Sequence, residues 1–194
     1  MDRLRIGYAL TGSFCTFENS FETAKRLVEL GHELTPIASF NAYELSTRFG
    51  TAEENRRKLV EICGHEIIHT IEAAEPIGPK RMFDIIIVAP CTSNTLAKLA
   101  TGVNDTPVTM AVKSHLRNMR PVLIAISTND ALAAAAKNIG ALGNYRNYFF
   151  VPYRQDDVAA KPMSMVADFS QMESAIENAM QGVQLQPVVL APKN

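Results

Sequence analysis

The 194 residues suit one domain, and a 47% share of hydrophobic residues is enough for a sizeable core. With 19 basic against 20 acidic side chains the formal net charge is −1, which argues against a nucleic-acid surface. No apolar run approaches the roughly 20 residues that span a bilayer, and Cys15, Cys63 and Cys91 form no CxxC pair, so a reduced cytoplasm without a structural metal is the expectation.

"LRIGYAL" (4–10) is a short apolar run closed by Thr11-Gly12-Ser13 and reads as a buried parallel strand. The chain enters this strand almost at once, so no signal peptide is expected. "SFETAKRLVEL" (20–30) places Phe21, Ala24, Leu27 and Val28 at helical spacing, with Gly31 as the stop. "ELTPIASF" (33–40) is a second strand, and its Pro36 points to an edge or a bulge. Thr51 and Glu54 fit a capping box that opens a helix towards Cys63. Residues 64–81 hold Pro76, Gly78 and Pro79 and read as a loop or arm. "FDIIIVAP" (83–90) and "RPVLIAIST" (120–128) are buried strands, separated by a polar turn and a helix over 106–116. A helix over 130–142, a strand over 147–153, a helix from about Val166 to Met180 and a loose tail over 183–194 complete the expected order.

Strands alternate with helices, which implies one α/β domain over residues 1–194: a three-layer, Rossmann-like or flavodoxin-like, doubly wound parallel sheet. Ligands of such sheets sit beyond the carboxyl ends of the strands. The loops after Leu10, Ala89 and Ile126 are therefore the candidate site, and all three are rich in Ser, Thr, Asn or Gly. Thr11-Gly12-Ser13 fits either an anion at a helix start or a plain strand-to-helix turn. No G-x-G-x-x-G follows a strand, so a dinucleotide site is not expected in this chain. In "CTSNT" (91–95), Thr92, Ser93, Asn94 and Thr95 supply donors and acceptors for a planar heterocycle, and helix capping accounts for one of them at most.

"APCTSNTLAKLATGVND" (89–105) resembles the signature of the flavin-binding decarboxylase-like family, with Pro90, Ser93, Asn94, Thr95, Ala97, Lys98, Ala100, Gly102 and Asp105 in place. "GYALTGSFCTF" resembles that family's phosphate-side loop, and "KPMSMVADF" (161–169) its third motif in shortened form. The resemblance implies FMN bound between the protomers of a homo-oligomer, a trimer or a multiple of one. It implies that Gly12 and Ser13 face the phosphate with help from Ser39. Ser93, Asn94 and Thr95, with Thr92 in the same turn, face the ribityl chain and ring. Asp105 holds the loop or reaches a neighbouring protomer, Ser127 and Thr128 line the cleft, and Met163 lies over the ring. Decarboxylating members carry a His about eight residues before the Asp that opens the central strand; here that position is Pro76, and His65 and His69 lie too far upstream. Cys91 echoes the prenyl-transferring members, without their basic phosphate grip.

"STRFG", "RNMRPVLIAISTNDAL", "NYFFVPYRQDD" and "KPMSMVADF" resemble one branch of that family, the B subunits of bacterial dipicolinate synthases. That resemblance implies a cytoplasmic protein in the mother cell of a spore-forming bacterium. It would act with the separate, NAD(P)-binding A subunit in the oxidation of dihydrodipicolinate, or its hydrated precursor, to dipicolinate. A planar dicarboxylate calls for guanidinium groups, and the loop residues Arg48 and Arg154 are the candidates. An FMN-dependent decarboxylase or flavin prenyltransferase of the same fold, and a non-catalytic scaffold for the A subunit, are the other readings.

Overall fold

The apolar runs of the sequence become the centre of the sheet. In a computed structural model, which describes residues 3–192, β1 (Arg5–Leu10), β2 (Glu33–Ala38), β3 (Ile85–Cys91) and β4 (Val122–Thr128) are parallel in the order β2-β1-β3-β4. A short β5 (Tyr148–Phe150) extends β4 in parallel. Side chains alternate between the faces, so Ile85 and Ile87 enter one core with Tyr8, Phe17 and Leu27, while Ile86 and Val88 enter the other with Leu96 and Val112. Burial on both faces is why β3 reads as a continuous apolar run rather than an alternating one.

Helices α1 (Phe17–Glu29), α2 (Phe40–Glu44), α3 (Ala52–Cys63), α4 (Ile71–Ala74), α5 (Ser93–Thr101), α6 (Pro107–Leu116), α7 (Ala136–Asn144) and α8 (Met172–Met180) cover the sheet or cap its ends. The Thr51–Glu54 capping box opens α3 as its sequence predicts. Among the described residues, no helix is long and apolar enough to cross a membrane.

The second half departs from the pattern expected of its sequence. The helix expected from Val166 is instead β7 (Lys161–Ala167), a 3-10 turn and then α8. β7 forms an antiparallel hairpin with β6 (Tyr153–Asp157) and joins the sheet through Ser127↔Val166 and Thr128↔Met165. The single strand expected over 147–153 divides between β5 and β6, and the sheet is mixed, with seven strands. The alanines of 131–135 form turns, held by the Ala133 and Ala135 amides on the Asp130 carbonyl, before α7 begins.

Residues 64–81 pack against the body. Ile68 bridges to Ile37, Ala74 and Ile77 are fully buried, and the Gly78 amide donates to Ser114 Oγ at 2.8 Å. In the C-terminal stretch, Phe150 N–H donates to Gln184 Oε1 at 2.7 Å and Tyr153 N–H to the Val188 carbonyl at 3.0 Å.

Candidate functional site

The three polar loops meet at the carboxyl ends of β1, β3 and β4. Thr11 ties the first two together: its Oγ1 donates to the Pro90 carbonyl at 2.8 Å and accepts from the Thr92 amide at 3.0 Å. Thr92 is then the N-cap of α5, with its Oγ1 accepting from Thr95 N–H at 3.4 Å. The amides before Thr95 have no acceptor within the helix, and the first turn of α5 carries no acidic side chain. Ser13 closes the loops against β4, with its hydroxyl 2.8 Å from Ser127 Oγ, and Thr16 Oγ1 lies 3.3 Å from the same atom. Thr128 Oγ1 donates to the Asp130 carboxylate at 2.6 Å.

These loops enclose a cleft of about 560 Å³, within the usual range for a ligand pocket. Gly12, Ser13, Thr92, Ser93, Ser127 and Thr128 all line it, so the structure brings six of the expected cofactor residues together. Arg48 stands on its rim with its guanidinium 4.8 Å from the Phe49 ring centroid. Phe14, Cys15, Thr47, Phe49, Asn129 and Asp130 complete the wall. All six lie inside the quoted segments "GYALTGSFCTF", "STRFG" and "RNMRPVLIAISTNDAL", but none of them is among the expected site residues.

Other expected residues fall elsewhere within the single chain. Ser39 caps α2 by accepting from the Ala42 amide at 3.3 Å and is not on the cleft wall. Asn94 is exposed on the first turn of α5, and successive helical residues point about 100° apart, so Ser93 faces the cleft and Asn94 does not. Thr95 is buried in the cap, its Oγ1 3.2 Å from Thr92 Oγ1. Asp105 is exposed and accepts from Lys98 Nζ at 2.7 Å, which ties the loop after α5 back to that helix and holds the Asp105 carboxyl below its usual range. Met163 is 48% exposed on β7 and does not line the cleft.

Arg154 lies in a second, larger cleft of about 780 Å³ between α1 and the β6–β7 hairpin. The two clefts share Ser13, Cys15, Ser127, Thr128 and Asn129 as a common wall. Arg154 is ion-paired with Asp168, and its Nε is buried without an acceptor among the described residues. Burial pushes the Asp168 carboxyl up, but the Ser170 hydroxyl and the Arg154 charge outweigh it and hold the group below its usual range.

The site has no imidazole. His32 accepts from the Leu4 amide, His65 lies by Glu33, His69 stacks on Tyr43 and His115 is buried beside the Pro121 carbonyl. Cys91 is fully buried, and burial pushes its thiol far above the usual cysteine range, so it is an inert core residue. Among the described residues, no group of three His, Cys, Asp or Glu side chains is placed to hold a metal ion.

The donor set fits a phosphorylated flavin. Hydroxyls and helix-start amides suit phosphate and ribityl oxygens, Arg48 adds a cation, and Phe14 and Phe49 offer apolar surface to a ring. Asp130, the one carboxylate on the wall, is occupied by Thr128.

Known proteins share this chain's sequence and fold. A profile of the family described as Flavoprotein matches residues 1–181. The chain is 44% identical over 186 residues to the B subunit of Bacillus subtilis dipicolinate synthase, covering 96% of this chain and 93% of that one. It superposes on the crystal structure of the dipicolinate synthase B subunit from Bacillus halodurans with a TM-score of 0.88 and 39% identity, over 96% of each chain. The FMN complex of Burkholderia xenovorans DmrB, a cubic protein cage for redox transfer, shares the fold with a TM-score of 0.69 at 18% identity, over 91% of this chain and 95% of that one.

Proposed function

Because the chain belongs to the flavoprotein family, we propose that it is the flavin-binding B subunit of a dipicolinate synthase, acting in the cytoplasm of a sporulating mother cell. It works with the separate A subunit, which binds NAD(P), and the pair oxidises dihydrodipicolinate, or its hydrated precursor, to dipicolinate. The observation that carries this reading is the cleft: three hydroxyl-rich loops converge at the strand ends on a space of about 560 Å³, in a chain 44% identical to a named B subunit.

In this reading Gly12, Ser13, Ser127 and Thr128 hold the FMN phosphate and ribityl oxygens, and Thr92 and Ser93 present the start of α5. Ser39, Asn94, Thr95, Asp105 and Met163 take their cofactor roles, direct or supporting, from the family resemblance. Exposed Asn94, Asp105 and Met163 act at the contact between copies of a homo-oligomer. FMN, when bound, supplies a two-electron acceptor. Aromatisation of the dihydropyridine ring removes two electrons and two protons. Arg48, which has no carboxylate partner among the described residues, grips one substrate carboxylate at the rim. Arg154 is already committed to Asp168 and takes a carboxylate only by exchanging that partner. The lack of a histidine on the wall favours oxidation over decarboxylation, which needs a placed base.

The test is reconstitution. The A subunit, this chain, FMN, NAD(P) and dihydrodipicolinate are mixed, and dipicolinate is followed by its ultraviolet absorbance. The expected result is turnover that needs both proteins and is lost in Ser127→Trp, which fills the cleft. Full turnover with the filled cleft would make the chain a scaffold for its partner.

A further inference from the structure

Behind the cofactor cleft, the start of α1 buries two hydroxyls. Thr16 is the N-cap of that helix and Ser20 follows four residues later, a spacing that puts both on one face. Both are buried, Ser20 completely. The same helix also buries Phe17, Phe21, Ala24 and Leu27, so an apolar face for packing on the sheet is already present. A hydroxyl in such a core is costly unless it is bonded.

Each hydroxyl is bonded to a strand end of the cleft. Thr16 Oγ1 donates to the Ser13 carbonyl at 2.8 Å, which leaves its lone pairs for the Ser127 hydroxyl at 3.3 Å. Ser20 Oγ donates to the Ala89 carbonyl at 2.6 Å. Ala89 lies where β3 slips against β4: Val88 pairs with Ile124 but Cys91 with Ile126, so β3 carries one extra residue at that step. A strand bends at such a step, and the direction in which it leaves sets where Thr92 and Ser93 point. Behind Ser20, the fully buried Tyr8 hydroxyl donates to the Ser20 carbonyl at 2.9 Å and lies 3.0 Å from its Oγ. One helix face thus holds β1 through Ser13, β3 through Ala89 and β4 through Ser127. Neither Thr16 nor Ser20 lines the cofactor cleft.

We propose that Thr16 and Ser20 are positioning residues that fix the ends of β1, β3 and β4 relative to one another and so pre-form the cleft for the flavin without touching it. The proposal rests on the cofactor reading above. A site held in its binding geometry spares the ligand the cost of ordering it, so loosening either bond should appear as lost affinity.

The experiment compares Ser20→Ala, Thr16→Val and Tyr8→Phe in the full chain. It uses urea denaturation, FMN titration with the visible absorption of the bound flavin, and hydrogen exchange of the Thr11 and Thr92 amides. Those two amides bond across the β1 and β3 loops and report on the cleft without any ligand. Each substitution removes one buried hydroxyl, so each should lower stability. Ser20→Ala and Thr16→Val should also bind FMN about tenfold more weakly, shift the visible band and exchange the two amides faster than Tyr8→Phe does. Tyr8→Phe leaves the Ser20–Ala89 bond in place and should lose stability alone. Should Ser20→Ala fail to fold, Thr16→Val carries the same comparison. If all three variants lose stability while keeping the parent's FMN affinity and visible band, with the two amides exchanging as in Tyr8→Phe, the proposal is overturned and the hydroxyls are core bonds only. If the parent binds no FMN, the cofactor reading falls separately; faster exchange in Ser20→Ala and Thr16→Val then still supports their hold on the loops, and exchange equal to that of Tyr8→Phe removes it.

Discussion

Thr11→Val tests how the site is built. Thr11 is 1% exposed, and its hydroxyl is the link between the β1 and β3 loops. Valine keeps the shape and removes the oxygen. The Pro90 carbonyl retains a bond from the Thr11 amide at 3.3 Å, so the main loss is at Thr92, whose amide is left without its acceptor. An orphaned donor of this kind costs about 2 kcal/mol. For a domain of this size that corresponds to a fall in Tm of roughly 4–8 °C. Thr92 also caps α5, so the start of that helix shifts with it, and FMN affinity should drop by about tenfold, or about 1.4 kcal/mol. Urea denaturation gives the first quantity, and flavin titration of the folded variant gives the second. Stability within about 0.5 kcal/mol of the parent, together with unchanged FMN affinity, would refute the idea that this hydroxyl organises the site.

Three further outcomes follow from the same set of contacts. Gly78→Ala places a Cβ 2.0 Å from the Ser114 carbonyl oxygen, a backbone atom, so it should destabilise by about 3 kcal/mol or more, read as a large drop in urea midpoint. His115 is buried and its imidazole is pushed down to about 4, so below the unfolded value of about 6.5 the unfolded chain binds the extra proton first. This residue's contribution therefore lowers stability as pH falls from about 6.5 to about 4, with a slope approaching 1.4 kcal/mol per pH unit, and His115→Gln should flatten that window in a pH series of urea melts. Cys15 is the exposed thiol and lines both clefts, whereas Cys63 and Cys91 are buried. A disulfide reagent should therefore titrate one fast thiol in the native chain, and FMN should slow that reaction; equal rates with and without FMN would place the cofactor elsewhere.

The parallel core is legible in the sequence because its cause is local. β1, β3 and β4 are buried on both faces, so their apolar runs stand out, and the polar residues that end them mark the loops of the cleft. The β6–β7 hairpin is not legible. "YRQDD" lacks the β-branched residues typical of strands, and β7 shows no clean alternation of burial, with Lys161, Pro162 and Met163 exposed in succession. These strands exist through their pairing with each other and with Ser127 and Thr128, which the segments do not announce alone. At the candidate site, the motif marks a turn that lines the cleft but not the direction of each side chain. Helical geometry turns Asn94 away from Ser93, and the cap consumes Thr95. Lys98 and Asp105, both motif residues, pair with each other and so tie the loop that follows α5 to that helix.

The most direct test of the central claim is a flavin fluorescence titration of the purified chain with FMN, run beside Ser127→Trp and Asn94→Ala. The parent should quench saturably, Ser127→Trp should abolish that quenching by filling the cleft, and Asn94→Ala should weaken it only where the chain is assembled with its own copies. No saturable binding by the parent, or equal binding by Ser127→Trp, would contradict the assignment of the strand-end cleft to FMN.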